Sequence, residues 1–492
     1  MKVDDSPENR ERCICPKCPT YARGCETTTA FCAAGHTHCD ISAMGCICTA
    51  CPVYREYRLE KLYFCDKAEI DGAGGIVMRK QKQGEDDSFY RSIVRMKEEA
   101  LRGESTVVAM GSRKKIPFSF DDLHLIPAQV ERIPLNREEG VDSAAIIGPS
   151  ARRPLRVTSP ILISGMSFGA TSRNVHQIIS RVAATLGIAF NTGEGGVLPE
   201  VLDTAASWCI CQYSTGRFGV GEEILKRASA VEIRFGQGAY PGKGSYLPAA
   251  KITPEVASIR GLEPGEDANS PAHHPDMVSP DQIREKVEWL REITGGVPIG
   301  AKIGCGRIED DCRILVEAGV DFIAIDGFGG GTGATYAYIR ENVGLPLIAA
   351  LPRAHRFLIE SGERDRVSLI AGGGLRSSAD FVKCIALGAD SVYIGTAALI
   401  AMNCEQYRIC HTGLCPTGIT TQDPVLMQQL KIEDGTERLS RFIRLSAEEM
   451  AGFTRIVGKP RITDLDSDDL VCLTKDLAVI TGCRWLDGKQ YS

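Results

Sequence analysis

From about residue 155 the hydrophobic positions alternate between two patterns. Short apolar, β-branched runs predict eight strands: Pro160–Ser164, Gly187–Asn191, Ile210–Ser214, Ala230–Arg234, Pro298–Ile303, Phe322–Asp326, Val367–Ala371 and Ser391–Gly395. Nearly every run ends in a Gly, Ser, Asn or Asp cluster, which marks a loop at the strand's C-terminal end. Between the runs the apolar spacing becomes helical, as in Arg173–Leu186, Pro280–Thr294, Glu309–Ala318 and Ser378–Leu387. Eight strand–helix units over about 240 residues predict a (β/α)8 TIM barrel rather than an open sheet. The long gap Gly236–Val297 is expected to form an elaborated loop over the active face.

The rest of the chain reads differently. Residues 1–66 are rich in cysteine and contain a repeat. Cys13-Ile14-Cys15-Pro16-Lys17-Cys18-Pro19-Thr20-Tyr21 returns as Cys46-Ile47-Cys48-Thr49-Ala50-Cys51-Pro52-Val53-Tyr54, with Cys25, Cys32, His36, His38 and Cys39 between the copies. Apolar residues are too few here for an unaided core, so a metal staple is expected. Residues 67–150 form a charged lead-in with one helix near Phe89–Leu101. The barrel occupies 151–403. Residues 404–492 hold a cysteine loop and then read as helical, most clearly over Glu437–Ala451.

Charge narrows the function. A net charge of −6 over 492 residues, with a pI near 5.9, argues against a nucleic-acid partner. No long uncharged apolar stretch predicts a membrane span. The first ten residues lack the apolar core of a secretory signal, so a cytoplasmic location is expected. Of the 20 cysteines, ten lie between Cys13 and Cys65, which favours metal or redox sites over structural disulfides.

Two glycine loops fall where barrels bind phosphate, after strands seven and eight: Ala371-Gly372-Gly373-Gly374 and Gly395-Thr396. Backbone N–H groups unobstructed by side chains hold a phosphate well. Glycines that merely make tight turns are the plainer alternative. Just beyond lie Cys404, Cys410 and Cys415, spaced C-x5-C-x4-C with Pro416 following. Three clustered thiolates point to an iron–sulfur cluster lacking one corner, a [3Fe–4S] type. Eight residues from Thr396 to Cys404 span at most about 28 Å. A phosphate-bearing cofactor therefore lies near the cysteines, and FMN beside an iron–sulfur cluster is the economical reading.

The chain resembles the FMN-binding synthase domain of the glutamate synthase large subunit, in its stand-alone archaeal form. The stretches that carry this are Ser164-Gly165-Met166-Ser167-Phe168-Gly169, Asn191-Thr192-Gly193-Glu194-Gly195-Gly196, Gln212-Tyr213-Ser214-Thr215-Gly216-Arg217-Phe218-Gly219, Gln237-Gly238-Ala239, Ser270-Pro271-Ala272-His273-His274, Gly330-Gly331-Thr332-Gly333-Ala334 and the cysteine run through Gln422. The resemblance implies FMN held by Met166, Ser167, Asn191, Glu194, Gln212, Lys302, Gly373, Gly374, Gly395 and Thr396. It implies a [3Fe–4S] cluster on Cys404, Cys410 and Cys415. It also implies reductive amination of 2-oxoglutarate by ammonia to L-glutamate, with Glu194, Gln237, Arg260 and Lys302 as catalytic residues. Arg260 would hold a substrate carboxylate, as a bidentate guanidinium can. Lys302 would stabilise the anionic reduced flavin.

The chain also departs from that family. Tyr240 stands where a substrate-binding lysine is expected, and Lys243 is a possible replacement. Asp326-Gly327-Phe328-Gly329 replaces a usual histidine–aspartate pair. Lys2 follows Met1 where a glutaminase nucleophile would stand. Ammonia is thus expected from solution or a separate glutaminase, and electrons from a ferredoxin-like or NAD(P)H-oxidising protein. Two other readings stand beside this one: an enzyme acting on another 2-oxo acid or glutamate derivative, or an electron-transfer subunit without its own substrate site. The N-terminal segment resembles a cysteine-rich archaeal domain of unknown function. Its Cys13, Cys15, Cys18, Cys46, Cys48 and Cys51 would bind zinc or a further iron–sulfur cluster, since soft thiolates accept both. An electron inlet is the hypothesis for it. Cys209, Cys211 and Cys384 read as buried packing thiols, and His273 and His274 as shapers of the long loop.

Overall fold

The structure is a computed structural model. It describes residues 3–18, 20–21, 29–35, 37, 39, 46–59, 64–65 and 88–490. Cys25, His36 and His38, singled out between the repeats, lie outside the described residues.

Eight parallel strands close into a barrel. They are β1 (Ile161–Ile163), β2 (Phe190–Asn191), β3 (Cys209–Tyr213), β4 (Ala230–Arg234), β5 (Ile299–Gly304), β6 (Phe322–Asp326), β7 (Ser368–Gly372) and β8 (Ser391–Ile394). Each pairs with its neighbours in the sequence of strands, and β8 returns to β1 through Val392↔Ile161 and Tyr393↔Leu162. Each strand overlaps a predicted run. Continuous burial, as along all of β7, explains why these runs lack alternation: a parallel strand is covered on both faces.

The helices between strands follow their sequence signals. Arg173–Leu186 buries Val175, Ile178, Ile179, Val182 and Ala183 on one stripe, and ends at Gly187 with φ 66°. Pro280–Ile293 starts from Ser279, whose hydroxyl accepts the Gln282 N–H at 3.3 Å.

One end of the barrel is sealed. A hairpin of Ala145–Ile147 and Leu155–Val157 packs against Leu162, Ala189, Ile210, Ala230 and Phe322 at the strands' N-terminal ends. Chemistry is left to the opposite face. There the insertion between β4 and β5 folds into a two-stranded pair, Tyr246–Leu247 with Ala268–Asn269, and a helix, Pro254–Arg260.

The C-terminal region differs from the all-helical expectation. Helix Ile432–Val457 is present, but Leu470–Cys472 and Arg484–Trp485 form a sheet with Leu123–Leu125 from the lead-in. Such short strands have no readable period, and their partner is remote in sequence. Among the described helices none is long and apolar enough to cross a membrane.

Candidate active site

A cavity of about 830 Å³ opens at the C-terminal ends of the strands, within the usual range for ligand sites. Its walls include Met166, Ser167, Glu194, Gln212, Gln237, Arg260, Lys302, Gly373, Gly374, Gly395 and Thr396 from the sequence reading. Cys404, Cys410 and Cys415 line the same space. Asn191 stands behind it.

The floor is a buried hydrogen-bond network. Glu232, fully buried on β4, accepts from Asn191 Nδ2 at 2.8 Å, Gln212 Nε2 at 2.8 Å and Tyr393 Oη at 3.0 Å. Asn191 Oδ1 in turn accepts the Gly193 N–H at 2.8 Å. The network fixes the Gln212 amide and leaves its Oε1 buried with no partner among the described residues. Gln237 is similar: its Nε2 donates to Thr332 Oγ1 at 2.9 Å and to the Ala334 carbonyl, while its Oε1 is unpaired. Buried acceptors of this kind are normally satisfied, so a ligand donor is the natural partner.

At the opposite side Gly373 and Gly374 have φ of 113° and 90°. A Cβ on Gly373 would lie 2.4 Å from the Gly327 nitrogen. The loop therefore needs glycine both for conformation and for closeness. Unpaired amide oxygens at one side and exposed glycine backbone at the other suit a long cofactor with a polar ring edge and a phosphate.

Charge gathers at the mouth. Glu194 is ion-paired with Arg234 (Nη2 to Oε2, 2.9 Å) and accepts from Ser214 Oγ at 2.7 Å. Burial raises its pKa, but Arg234, Ser214 and Arg260 together hold it below the ordinary value, so it stays ionised. Arg260 donates twice to the Phe168 carbonyl, at 3.1 and 2.7 Å, and once to the Glu194 carbonyl at 3.3 Å. Its Nε/Nη2 edge is thus spent on backbone, and the full fork expected for a carboxylate is not available. Burial lowers its pKa to about 10. Lys302 pairs with Asp326 at 3.0 Å.

Four contributors were missed in the sequence. Arg234, the last residue of β4, lines the cavity with a buried Nε that has no partner among the described residues. Its position at a strand's C-terminal end was the available signal. Glu232 and Tyr393 are hidden within apolar runs. Lys251, in the insertion, donates to the Ala170 carbonyl at 2.6 Å and the Cys410 carbonyl at 3.1 Å.

Of the substituted positions Asp326 lines the cavity, whereas Tyr240 and Lys243 do not reach it. Tyr240 is fully buried and donates to the Gly330 carbonyl at 2.7 Å. Lys243 sits 4.7 Å from the Tyr336 ring centre. Neither lines the cavity. His274 is a packing residue: its Nε2 meets the Arg234 carbonyl at 2.9 Å, and burial, with Arg217 beside it, lowers its pKa to about 4.

The cysteine loop is conformationally unusual. Asn403, Gln406 and Arg408 have φ of 99°, 54° and 58°, a strained state for non-glycine residues that clusters at functional sites. Arg408 anchors the loop to the Gly111 carbonyl. Burial opposes the Cys415 thiolate, but hydrogen bonds from Thr417 and Thr420 outweigh it and bring its pKa below the usual thiol value. Burial raises Cys404 to about 11. Among the described residues no three His, Cys, Asp or Glu side chains converge at single-ion spacing. Three thiols facing one shared cavity suit a multi-atom cluster.

Comparison with known proteins gives the context. Residues 94–460 match the family model of the conserved region in glutamate synthase, and residues 13–66 match a protein family of unknown function (DUF2769). A glutamate synthase large subunit-like protein of Rhizobium meliloti is 36% identical over 422 residues, covering 81% of this chain and 95% of that protein. An archaeal-type glutamate synthase [NADPH] of Thermotoga neapolitana is 42% identical over 298 residues, covering 60% of this chain. The match spans only 59% of that relative's length. Among solved structures, a mutant of the active chimera of (S)-mandelate dehydrogenase aligns with TM-score 0.48 and 14% identity over 71% of this chain and 88% of that chain. By the family match over most of its length and the order of its motifs around one cavity, the chain belongs to the glutamate synthase family.

Proposed function

We propose that the chain catalyses reductive amination of 2-oxoglutarate with ammonia to L-glutamate. The cavity would hold FMN, with Gly373, Gly374, Gly395 and Thr396 taking its phosphate and Gln212 its ring edge. When bound it would supply hydride to the imine carbon of 2-iminoglutarate. Lys302, paired with Asp326, would supply a cation to the reduced ring. Arg234 and the remaining Nη1 of Arg260 orient the substrate's carboxylates, and Glu194 holds Arg234 in place. Cys404, Cys410 and Cys415 would hold a [3Fe–4S] cluster that delivers electrons. The observation that carries this reading is the single cavity shared by the glycine loops, the unpaired Arg234 Nε and the three cysteines.

A separate protein supplies the electrons; NADPH is named for the Thermotoga relative. A second reading, a different 2-oxo acid as substrate, is favoured by one fact. Tyr240 and Lys243 leave the cavity without the lysine expected at that place. One experiment decides. The protein is reduced anaerobically and mixed with ammonia and 2-oxoglutarate, and flavin reoxidation and glutamate are followed. Reoxidation only by another 2-oxo acid moves the assignment to the second reading. No response to any, with flavin and cluster spectra intact, leaves an electron-transfer subunit.

A further inference from the structure

The two N-terminal repeats fold alike. Ile14 and Ile47 lead into short 3-10 turns with backbone angles of φ −98°, ψ 10° and φ −105°, ψ 15°. Cys18 and Cys51 close them at φ −68°, ψ 135° and φ −72°, ψ 131°, each donating its N–H to the cysteine three residues before. Contacts between thiols obey the same symmetry. Cys13 Sγ accepts the Cys15 N–H at 3.4 Å, and the Cys13 thiol and Cys51 of the other repeat act on each other. Correspondingly, Cys46 acts on Cys48 and on Cys18 of the other repeat, and Cys48 also feels Cys15 and Cys18. The first cysteine of each repeat thus acts on the last cysteine of the other. Cys32 lies beside Cys13 and Cys51, and Cys65 lines the cavity shared by all these thiols. Cys39 is disulfide-bonded, although the cysteine clustering favoured metal or redox sites over disulfides, and is not among them.

The module is seated on the cysteine loop of the barrel. Cys18 and Ile47 form one buried apolar cluster with Ile409, flanked by Ile14, Tyr21, Tyr407 and Leu414. Cys46 and Cys415 both act electrostatically on the Tyr407 phenol.

We propose that the N-terminal module binds two iron–sulfur clusters, on thiol sets exchanged between its repeats, and passes electrons across the Ile47–Ile409 contact to the Cys404 loop. One set is Cys13, Cys15, Cys51 and Cys32; the other is Cys46, Cys48, Cys18 and Cys65. Such an exchange, where the last cysteine of a run serves the other cluster, is how two-cluster proteins are built. The inference rests on the reductive reading above. Turning 2-oxoglutarate and ammonium into glutamate and water consumes two electrons and two protons. A one-electron carrier protein of the ferredoxin class gives up the electrons singly, each cluster is reduced and reoxidised in turn, and solvent supplies the protons.

The test uses the anaerobically purified full chain. Analysis should find about eight irons, with matching sulfide, beyond those on the Cys404 loop. Cys13→Ser and Cys46→Ser should each remove about four irons and leave flavin content unchanged. Flavin reduction by reduced ferredoxin, followed by stopped flow, should slow at least about tenfold in both. Ile47→Asp should keep its iron and show the same slowing. Zinc without sulfide in the wild type overturns the proposal, as does unchanged flavin reduction in a variant that has lost its module iron. Light-reduced flavin reports separately: if no 2-oxo acid with ammonia reoxidises it in the wild type, the reductive reading fails while the iron count stands.

Discussion

Arg234 and Glu194 meet across the barrel mouth, Nη2 to Oε2 at 2.9 Å, and the pairing leaves the Arg234 Nε buried with no partner among the described residues. Arg234→Lys keeps a cation for Glu194 but removes that donor. A charge-assisted hydrogen bond contributes about 1.5–3 kcal/mol, so KM for 2-oxoglutarate should rise by at least about tenfold. Flavin content should hold. An unchanged KM would remove Arg234 from substrate binding.

Glu232 orients three donors in the dry barrel floor. Glu232→Leu leaves Asn191, Gln212 and Tyr393 without their acceptor, at about 1–3 kcal/mol for each group stranded. Lower thermal stability and loss of flavin on gel filtration are expected. Gln212→Leu should weaken flavin binding while costing less stability.

Gly373→Ala tests the phosphate loop. The added methyl would sit 2.4 Å from the Gly327 nitrogen, on a backbone with φ 113°. Titration of the apoprotein with FMN should show a Kd raised by about two orders of magnitude, from roughly 3 kcal/mol of strain and displacement. Gly362→Ala, where nothing lies within 4 Å of the added carbon, controls for left-handed strain alone.

Tyr240 gives a prediction about specificity. Because it is fully buried and bonded to Gly330, Tyr240→Lys should not restore a substrate cation. It should bury an unpaired ammonium and lower the thermal midpoint sharply. Tyr240→Phe should cost about 1 kcal/mol and leave the preference among 2-oxo acids unchanged.

Acid sensitivity follows from two buried histidines. Burial, above all, lowers His176 and His274 from 6.5 to about 4. Below pH 6.5 the unfolded chain binds protons that the folded chain refuses, so stability falls as pH drops from 6.5 towards 4. Moving from neutral pH to 5 should cost about 2 kcal/mol per histidine. Urea midpoints read this, and His274→Asn should shrink the fall.

Much of the architecture was legible because its signals are local. The run Val367–Ala371 is strand-length and largely apolar, and the helical spacing of Arg173–Leu186 lies within its own neighbourhood. The sheet of Leu123–Leu125 with Leu470–Cys472 was not legible, because pairing of such short segments depends on distant partners. The same holds at the site. Glycine loops and spaced cysteines declare themselves, and the structure brings them to one cavity. Arg234 and Glu232 sit inside an ordinary strand pattern, where only the direction of each side chain separates a working group from a packing one. Tyr240 shows the converse: a position chosen by analogy turned inward once its surroundings were known.

Lys251 has a mechanical consequence. A buried ammonium grips the Ala170 carbonyl, next to the loop that follows β1, and the Cys410 carbonyl in the cysteine run. Displacing either segment alone breaks a charged hydrogen bond in a dry setting, at about 1.5–3 kcal/mol. The two therefore behave as one rigid part. Damage that reshapes the cysteine run, such as oxidation by air, is transmitted to the loop after β1 that carries Met166 and Ser167 in the cavity wall.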